Sequence, residues 1–224
     1  MFERNIDNYT IQEQLQLYKS TITVCGVGGG GCCVSEILCR TGVGHIILVD
    51  GDTFESSNKN RQIGATENTI GKYKTDVMAR RLRSINPKIH VTSYSEYMSD
   101  KNYRTLLNGS DIICDTVDGL DNKRMIHRFS QNMRIPIASG GLSGRAFCFY
   151  VIDDFKIPLD TVRPEGSPKS LSANPASVFI QAGFQAQMII DYLLKRPEAA
   201  PNIIHSFNSK TLVFNTRDLK NKII

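Results

Sequence analysis

The sequence has no run approaching the roughly eighteen consecutive apolar residues that a membrane-spanning helix needs, and its opening, MFERNIDNYT, is polar where a signal peptide would be apolar. The expectation is a cytoplasmic protein with no membrane partner. No block of about five like charges occurs either. Lys and Arg outnumber Asp and Glu by 27 to 22 but are scattered, so no nucleic-acid partner is expected, and the small excess would suit the phosphates of a nucleotide. The six cysteines (Cys25, Cys32, Cys33, Cys39, Cys114, Cys148) form no C-x-x-C pair and have no histidine at ligand spacing. Zinc is not expected, and thiols set mostly in apolar runs read as buried and reduced. Internal repeats and low-complexity tracts are also missing.

What is there is an alternation of strand and helix signals. Thr10-Ile-Gln-Glu13 fits a capping box, followed by Leu15, Leu17 and Tyr18 at helical spacing, which makes residues 1–19 a helical arm ahead of the sheet. Strands are predicted over 21–25, 45–50, 89–93, 111–115, 135–138 and 146–152. Helices are predicted from the glycine loop to about 41 and over 74–85, 101–107, 122–132 and 176–194. The helix at 74–85 must stop before Asn86-Pro87. Residues 203–207 and 211–215 suit a terminal hairpin. The pattern predicts an α/β chain: a Rossmann-like, doubly wound, mainly parallel sheet with a few antiparallel strands on its C-terminal side. One domain over 1–224 accounts for it, with residues 153–175, rich in Pro, Ser, Gly and charge, as a long crossover loop.

Gly26-Val27-Gly28-Gly29-Gly30-Gly31 satisfies G-x-G-x-x-G between a predicted strand and a predicted helix. In that setting the glycines admit phosphate to the backbone, and the helix N-terminus favours its charge. Asp50 ends the second strand, where such a unit places the acid that binds a ribose hydroxyl. These two features suit NAD or FAD as well as ATP.

Three later clusters separate the alternatives: Asp50-Gly-Asp52 with Ser57-Asn58-Lys59-Asn60-Arg61-Gln62, then Gly71-Lys72-Tyr73-Lys74, then Cys114-Asp115-Thr116-Val117-Asp118. With the glycine loop and Asn86-Pro87 they stand in the order found in the family of ThiF, MoeB and HesA and the adenylation domains of ubiquitin-activating (E1-like) enzymes, which the chain resembles from about residue 3 to 152. Lys59 and Tyr73 stand where that family often has Leu and Pro. The resemblance implies that Gly26, Gly28, Gly29, Gly31, Asp50, Asp52, Asn58, Arg61, Gln62, Lys74 and Asp118 bind ATP, and that Arg61, Lys74 and Asp118 carry catalysis. Asp118 would also hold Mg2+. Arg4, in Glu3-Arg4-Asn5, would reach the triphosphate of a neighbouring subunit, which implies a homodimer. The chemistry agrees, because a carboxylate is already ionised at neutral pH and needs cations around the phosphates rather than a general base. Taken one at a time, Arg61 and Lys74 also read as solvated charge, Asp118 as a helix cap and Asp52 as a turn residue.

The implied reaction is adenylation of a carboxylate with pyrophosphate release, in cofactor biosynthesis. Many members of the family carry a zinc site or a cysteine in the crossover loop; here no cysteine follows Cys148. Two substrates fit: the C-terminal glycine of a ubiquitin-like sulfur carrier, or a small-molecule carboxylate such as that of guanylylpyridinol, which the short, cysteine-poor chain favours. Arg145, Lys156, Arg163 and Lys169 are available to meet an anionic substrate or simply to solvate the surface. A non-catalytic scaffold subunit and an NAD-linked oxidoreductase remain as alternatives.

Overall fold

The computed structural model describes residues 2–5, 7–158 and 174–220. Eight strands form one sheet in the order β3-β2-β1-β4-β5-β6-β7-β8. The first five in space, β3 (His90–Tyr94), β2 (His45–Val49), β1 (Thr21–Cys25), β4 (Ile112–Asp115) and β5 (Ile137–Ser143), pair in parallel. From β5 onward β6 (Ala146–Ile152), β7 (Ile203–Asn208) and β8 (Val213–Asp218) run antiparallel. Helices α2 (Gly29–Thr41), α3 (Lys74–Ile85) and α6 (Pro175–Leu193) cover one face; α4 (Tyr103–Leu106) and α5 (Leu120–Met133) cover the other. Helix α1 (Ile11–Lys19) adds Leu17 to the first layer.

The central strands are largely apolar because both of their faces are buried, with Thr23 and Asp115 among the buried polar exceptions. In β2, Ile46 and Leu48 enter the core beneath α2, whereas Ile47 and Val49 enter the core beneath α5. The switch of strand order lies between β1 and β4, whose carboxyl ends open beside the N-terminus of α2. In sheets of this kind a ligand binds at that crevice.

The elements follow the sequence reading closely, including the reciprocal Thr10 and Glu13 cap of α1. The clearest departure is β5, expected at 135–138. It starts at Ile137 and continues through Gly140 and Gly141, because β6 pairs with it residue by residue from Ile137↔Ile152 to Ser143↔Ala146. Tertiary pairing overrides the poor strand propensity of glycine. The hairpin's second strand begins at Val213 instead of 211, after a turn in which Leu212 takes φ 57°. Most of the expected crossover loop, 159–173, lies outside the described residues, but its stem is held by α5: His127 Nε2 lies 3.0 Å from the Ile157 carbonyl and Gln131 Nε2 donates to Phe155 O at 2.9 Å. No helix among the described residues is long and apolar enough to cross a membrane.

Burial holds the imidazoles of His45, His127 and His205 below their ordinary pKa. Unfolding releases them to about 6.5, so below that pH the unfolded chain binds more protons than the folded one and stability must fall. Urea unfolding at pH 7.5 and 5.5 should give a lower midpoint at 5.5 with an unchanged slope.

Candidate active site

The glycine loop turns from β1 into α2 in a space that admits no side chain at Gly26 or Gly31. Gly26 takes φ +87°, and a Cβ there would lie 3.0 Å from the Thr116 and Val117 backbone. A Cβ on Gly31 would stand 1.9 Å from the Gly26 carbonyl oxygen, so only glycine allows the first turn of α2 to approach β1 this closely. Gly28, the N-cap residue, supplies no side-chain cap. The first amides of α2 therefore lack a side-chain acceptor, and with the helix dipole behind them they favour an anion. Thr116 Oγ1 closes the turn from β4, donating toward Gly26 O at 2.6 Å and Cys25 O at 3.0 Å.

Asp50 sits at the end of β2 and accepts the Val27 amide at 2.6 Å and the Asp52 amide at 2.8 Å, which fixes its carboxylate against the loop. Burial pushes its pKa up, against the opposing pull of those two amides. Asp52 accepts Lys74 Nζ at 2.8 Å and the Tyr97 hydroxyl on its other oxygen. Burial pushes the Asp52 carboxyl upward too, but the hydrogen bonds from Lys74 and Tyr97 prevail and hold it below its usual range. Lys74 is buried at the first position of α3, with its charge already compensated.

Residues 56–58 form one 3-10 turn that carries the next group. Asn58 is spent largely on that turn: its Oδ1 accepts the Glu55 amide at 3.0 Å, and its Nδ2 reaches Ser57 Oγ at 3.4 Å. Gln62 is buried beside the loop, its Nε2 3.8 Å from where a Gly28 Cβ would stand, and its Oε1 has no hydrogen-bond partner. A buried orphan acceptor at that place suits a ligand hydroxyl or amine. Arg61 runs along Gly29, its Cγ 3.6 Å from the corresponding Cβ position, while Nη1 donates to Asn60 Oδ1 at 2.9 Å and Ser57 O at 3.2 Å.

At the end of β4 the two aspartates differ. Asp115 is buried and fully engaged, accepting Ser139 Oγ at 2.6 Å, Lys123 Nζ at 3.1 Å and the Val117 amide at 3.1 Å. Asp118 is exposed on the loop above it, and the N-cap position of α5 falls to Gly119, so the carboxylate is not consumed by a helix cap. Among the described residues no group of three or more His, Cys, Asp or Glu side chains is placed to hold a metal. A single open carboxylate still suits Mg2+, which binds through one or two carboxylates together with substrate phosphates.

Sequence reasoning missed four residues. Lys123 pairs with Asp115 beneath the loop. Gln181 and Gln185, four residues apart on the otherwise apolar α6, form a buried ladder: Gln181 Nε2 donates to Gln185 Oε1 at 2.7 Å, and Gln185 Nε2 donates to Asp115 O at 3.0 Å and Ala138 O at 3.1 Å. The signal was two amides at helical spacing inside a hydrophobic helix. Tyr97 carried no signal.

Arg4 stands elsewhere. Its neighbour Asn5 donates to Thr41 O at 3.3 Å, at the C-terminal end of α2, whereas the glycine loop lies at the N-terminal end. At 1.5 Å per residue the helix separates them by roughly 20 Å, beyond the reach of one arginine, so Arg4 does not join the site of its own chain. Arg145 and Lys156 are exposed; Arg163 and Lys169 lie outside the described residues. The six cysteines are unpaired, five of them buried. Cys148 is half-buried because it lies across from Gly141, which has no side chain to cover it, and burial still pushes its thiol upward.

A model of the ThiF family matches residues 2–222. The chain belongs to this family. Among similar proteins is the tRNA threonylcarbamoyladenosine dehydratase of Haemophilus influenzae, 35% identical over 139 residues, which are 61% of this chain and 53% of that protein. Another is the adenylyltransferase and sulfurtransferase uba4 of Pyricularia oryzae, 33% identical over 129 residues, 58% of this chain and 26% of that one. The chain thus spans about half or less of the curated relatives it matches. The structure of E. coli MccB with succinimide shares the fold, with a TM-score of 0.82 at 24% identity over 97% of this chain and 70% of that chain.

The packing of α2 on β1 predicts opposite outcomes for two glycines of helices. Gly31→Ala should destabilise the protein by about 1–3 kcal/mol or more through overpacking. Gly183→Ala, on α6 with nothing within 4 Å of the added carbon, should stabilise it by about 0.5–1 kcal/mol through helix propensity. Chemical denaturation of both variants checks the pair.

Proposed function

We propose that this ThiF-family chain uses ATP to adenylate a carboxylate. The observation that carries the reading is the gathering, around the α2 amides that no side chain caps, of Arg61 at Gly29, the Lys74–Asp52 pair beside Asp50, and the open carboxylate of Asp118. Hydride transfer has no evident use for that set of charges. With the triphosphate along the α2 amides and the ribose at Asp50, an oxygen of the substrate carboxylate attacks the α-phosphorus. The bond from that phosphorus to the bridging oxygen breaks, and pyrophosphate leaves with the electron pair. Arg61 and Lys74 offset the repulsion between the two anions and the charge that grows on the leaving group. Magnesium held by Asp118 would supply further neutralisation of the phosphate oxygens. The orphan Oε1 of Gln62 fits a nucleotide donor.

The substrate belongs to a class that brings its own carboxylate, and we favour a small molecule such as guanylylpyridinol over the C-terminal glycine of a sulfur carrier. The buried thiols support transfer of the acyl group without a cysteine of this chain. The names of similar proteins span a modified tRNA nucleoside and, for E. coli MccB, a complex with MccA, so they do not by themselves favour a substrate of one size.

Pyrophosphate exchange into ATP should require magnesium and the correct carboxylate, and Asp118→Ala should lower it by about 100-fold or more. Exchange that appears only after a homologous partner is added would identify a scaffold subunit instead. The position of Arg4, an α2 length from its own loop, supports a homodimer in which it acts in trans. Arg4→Ala and Asp118→Ala chains, each inactive alone, should regain exchange when dissociated and reassociated together, since mixed dimers hold one site with both residues; no recovery would contradict the exchange of arginines.

A further inference from the structure

Tyr97 is 69% exposed yet tethered at both ends. Its backbone carbonyl accepts Asn102 Nδ2 at 3.0 Å, and Asn102 Oδ1 in turn accepts the Ser99 amide at 2.7 Å, which locks the turn after β3. Its hydroxyl donates to Asp52 Oδ1. Between these anchors the ring lies against Gly51, so closely that a Cβ there would meet ring carbons at 2.8 Å. A large aromatic ring is thus pinned flat on the 50–52 turn with much of its surface left to solvent. A ring already ordered and still open on its outer side offers a ligand a stacking surface at little further cost in side-chain entropy.

The geometry of the loop indicates which part of a ligand meets it. Phosphates on the α2 amides and a ribose at Asp50 leave the base to continue away from α2, past the end of β2 and over the 50–52 turn. We propose that Tyr97 is a specificity-determining residue for the nucleotide, its ring the shelf on which the base stacks and its hydroxyl bond to Asp52 the clamp that sets the tilt of that shelf. This rests on the adenylation reading. The same carboxylate holds Lys74 at 2.8 Å, so one aspartate braces the contacts at both ends of the nucleotide. Neither the glycine loop nor any motif of the family's ordered set contains the residue.

Calorimetric titration of the full chain with ATP and with inorganic tripolyphosphate, which has no base, tests the inference without knowledge of the carboxylate. Loss of one base-aromatic stack by alanine substitution weakens binding by roughly 5- to 150-fold. Tyr97→Ala should therefore lose at least about fivefold in ATP affinity and keep its tripolyphosphate affinity, while Tyr97→Phe, which keeps the ring, should restore ATP affinity to within about threefold of the unsubstituted chain. ATP affinity unchanged by Tyr97→Ala, or an equal loss for both ligands, would overturn the inference and leave adenylation standing. An unsubstituted chain that binds no ATP would overturn both.

Discussion

The seating of the first turn of α2 on the end of β1 is the constraint from which the rest of the site follows. The Gly31 backbone can lie against the Gly26 carbonyl only because nothing projects from it. That contact aims uncapped amides into the crevice at the switch of strand order. Thr116 then bonds to the same carbonyl and draws in the loop that carries Asp118, and Asp50 bonds to the Val27 amide and draws in the end of β2. Three loops from three strands are therefore referenced to one backbone turn. A shift in that turn would move the α2 amides, Asp50 and Asp118 together.

Around this frame the charges are arranged in compensated pairs. Lys74 would be costly to bury alone, and Asp52 answers it; Asp115 is answered by Lys123 and Ser139. The two pairs differ in what they permit. The side chain of Asp52 is 48% exposed, so its hold on Lys74 is softened by solvent and a triphosphate can compete for the ammonium. Asp115 is sealed, and its role is to fix the base of the loop on which Asp118 stands. The Gln181 and Gln185 ladder stiffens the same place from the side of α6, with one amide satisfying carbonyls of both β4 and β5.

Much of this was legible in the sequence because it is local. The glycine loop and the acid at the end of β2 lie at element boundaries that the alternation of strands and helices marks, whereas the order of the family's motifs singles out the aspartate after β4. Those motifs likewise single out Lys74, at the start of a helix whose end the Asn86-Pro87 pair marks. Contacts made by the fold were not legible. Tyr97 meets Asp52 only because β2 and β3 are parallel neighbours, which brings residues 45 positions apart to the same rim. Strand β5 is expected over 135–138, and only the pairing of β6 carries it through Gly140 and Gly141. Arg4 is expected to act on a neighbouring subunit, and its place at the far end of α2 keeps it out of the site of its own chain.

The claim on which everything else rests is that the crevice takes ATP and not a nicotinamide dinucleotide, for which the glycine loop and Asp50 would serve equally well. Titration of the purified chain with ATP in the presence of magnesium, and in parallel with NADH, decides it most directly. Saturable binding of ATP with none of NADH is the predicted result. Robust binding of NADH with none of ATP would contradict the account.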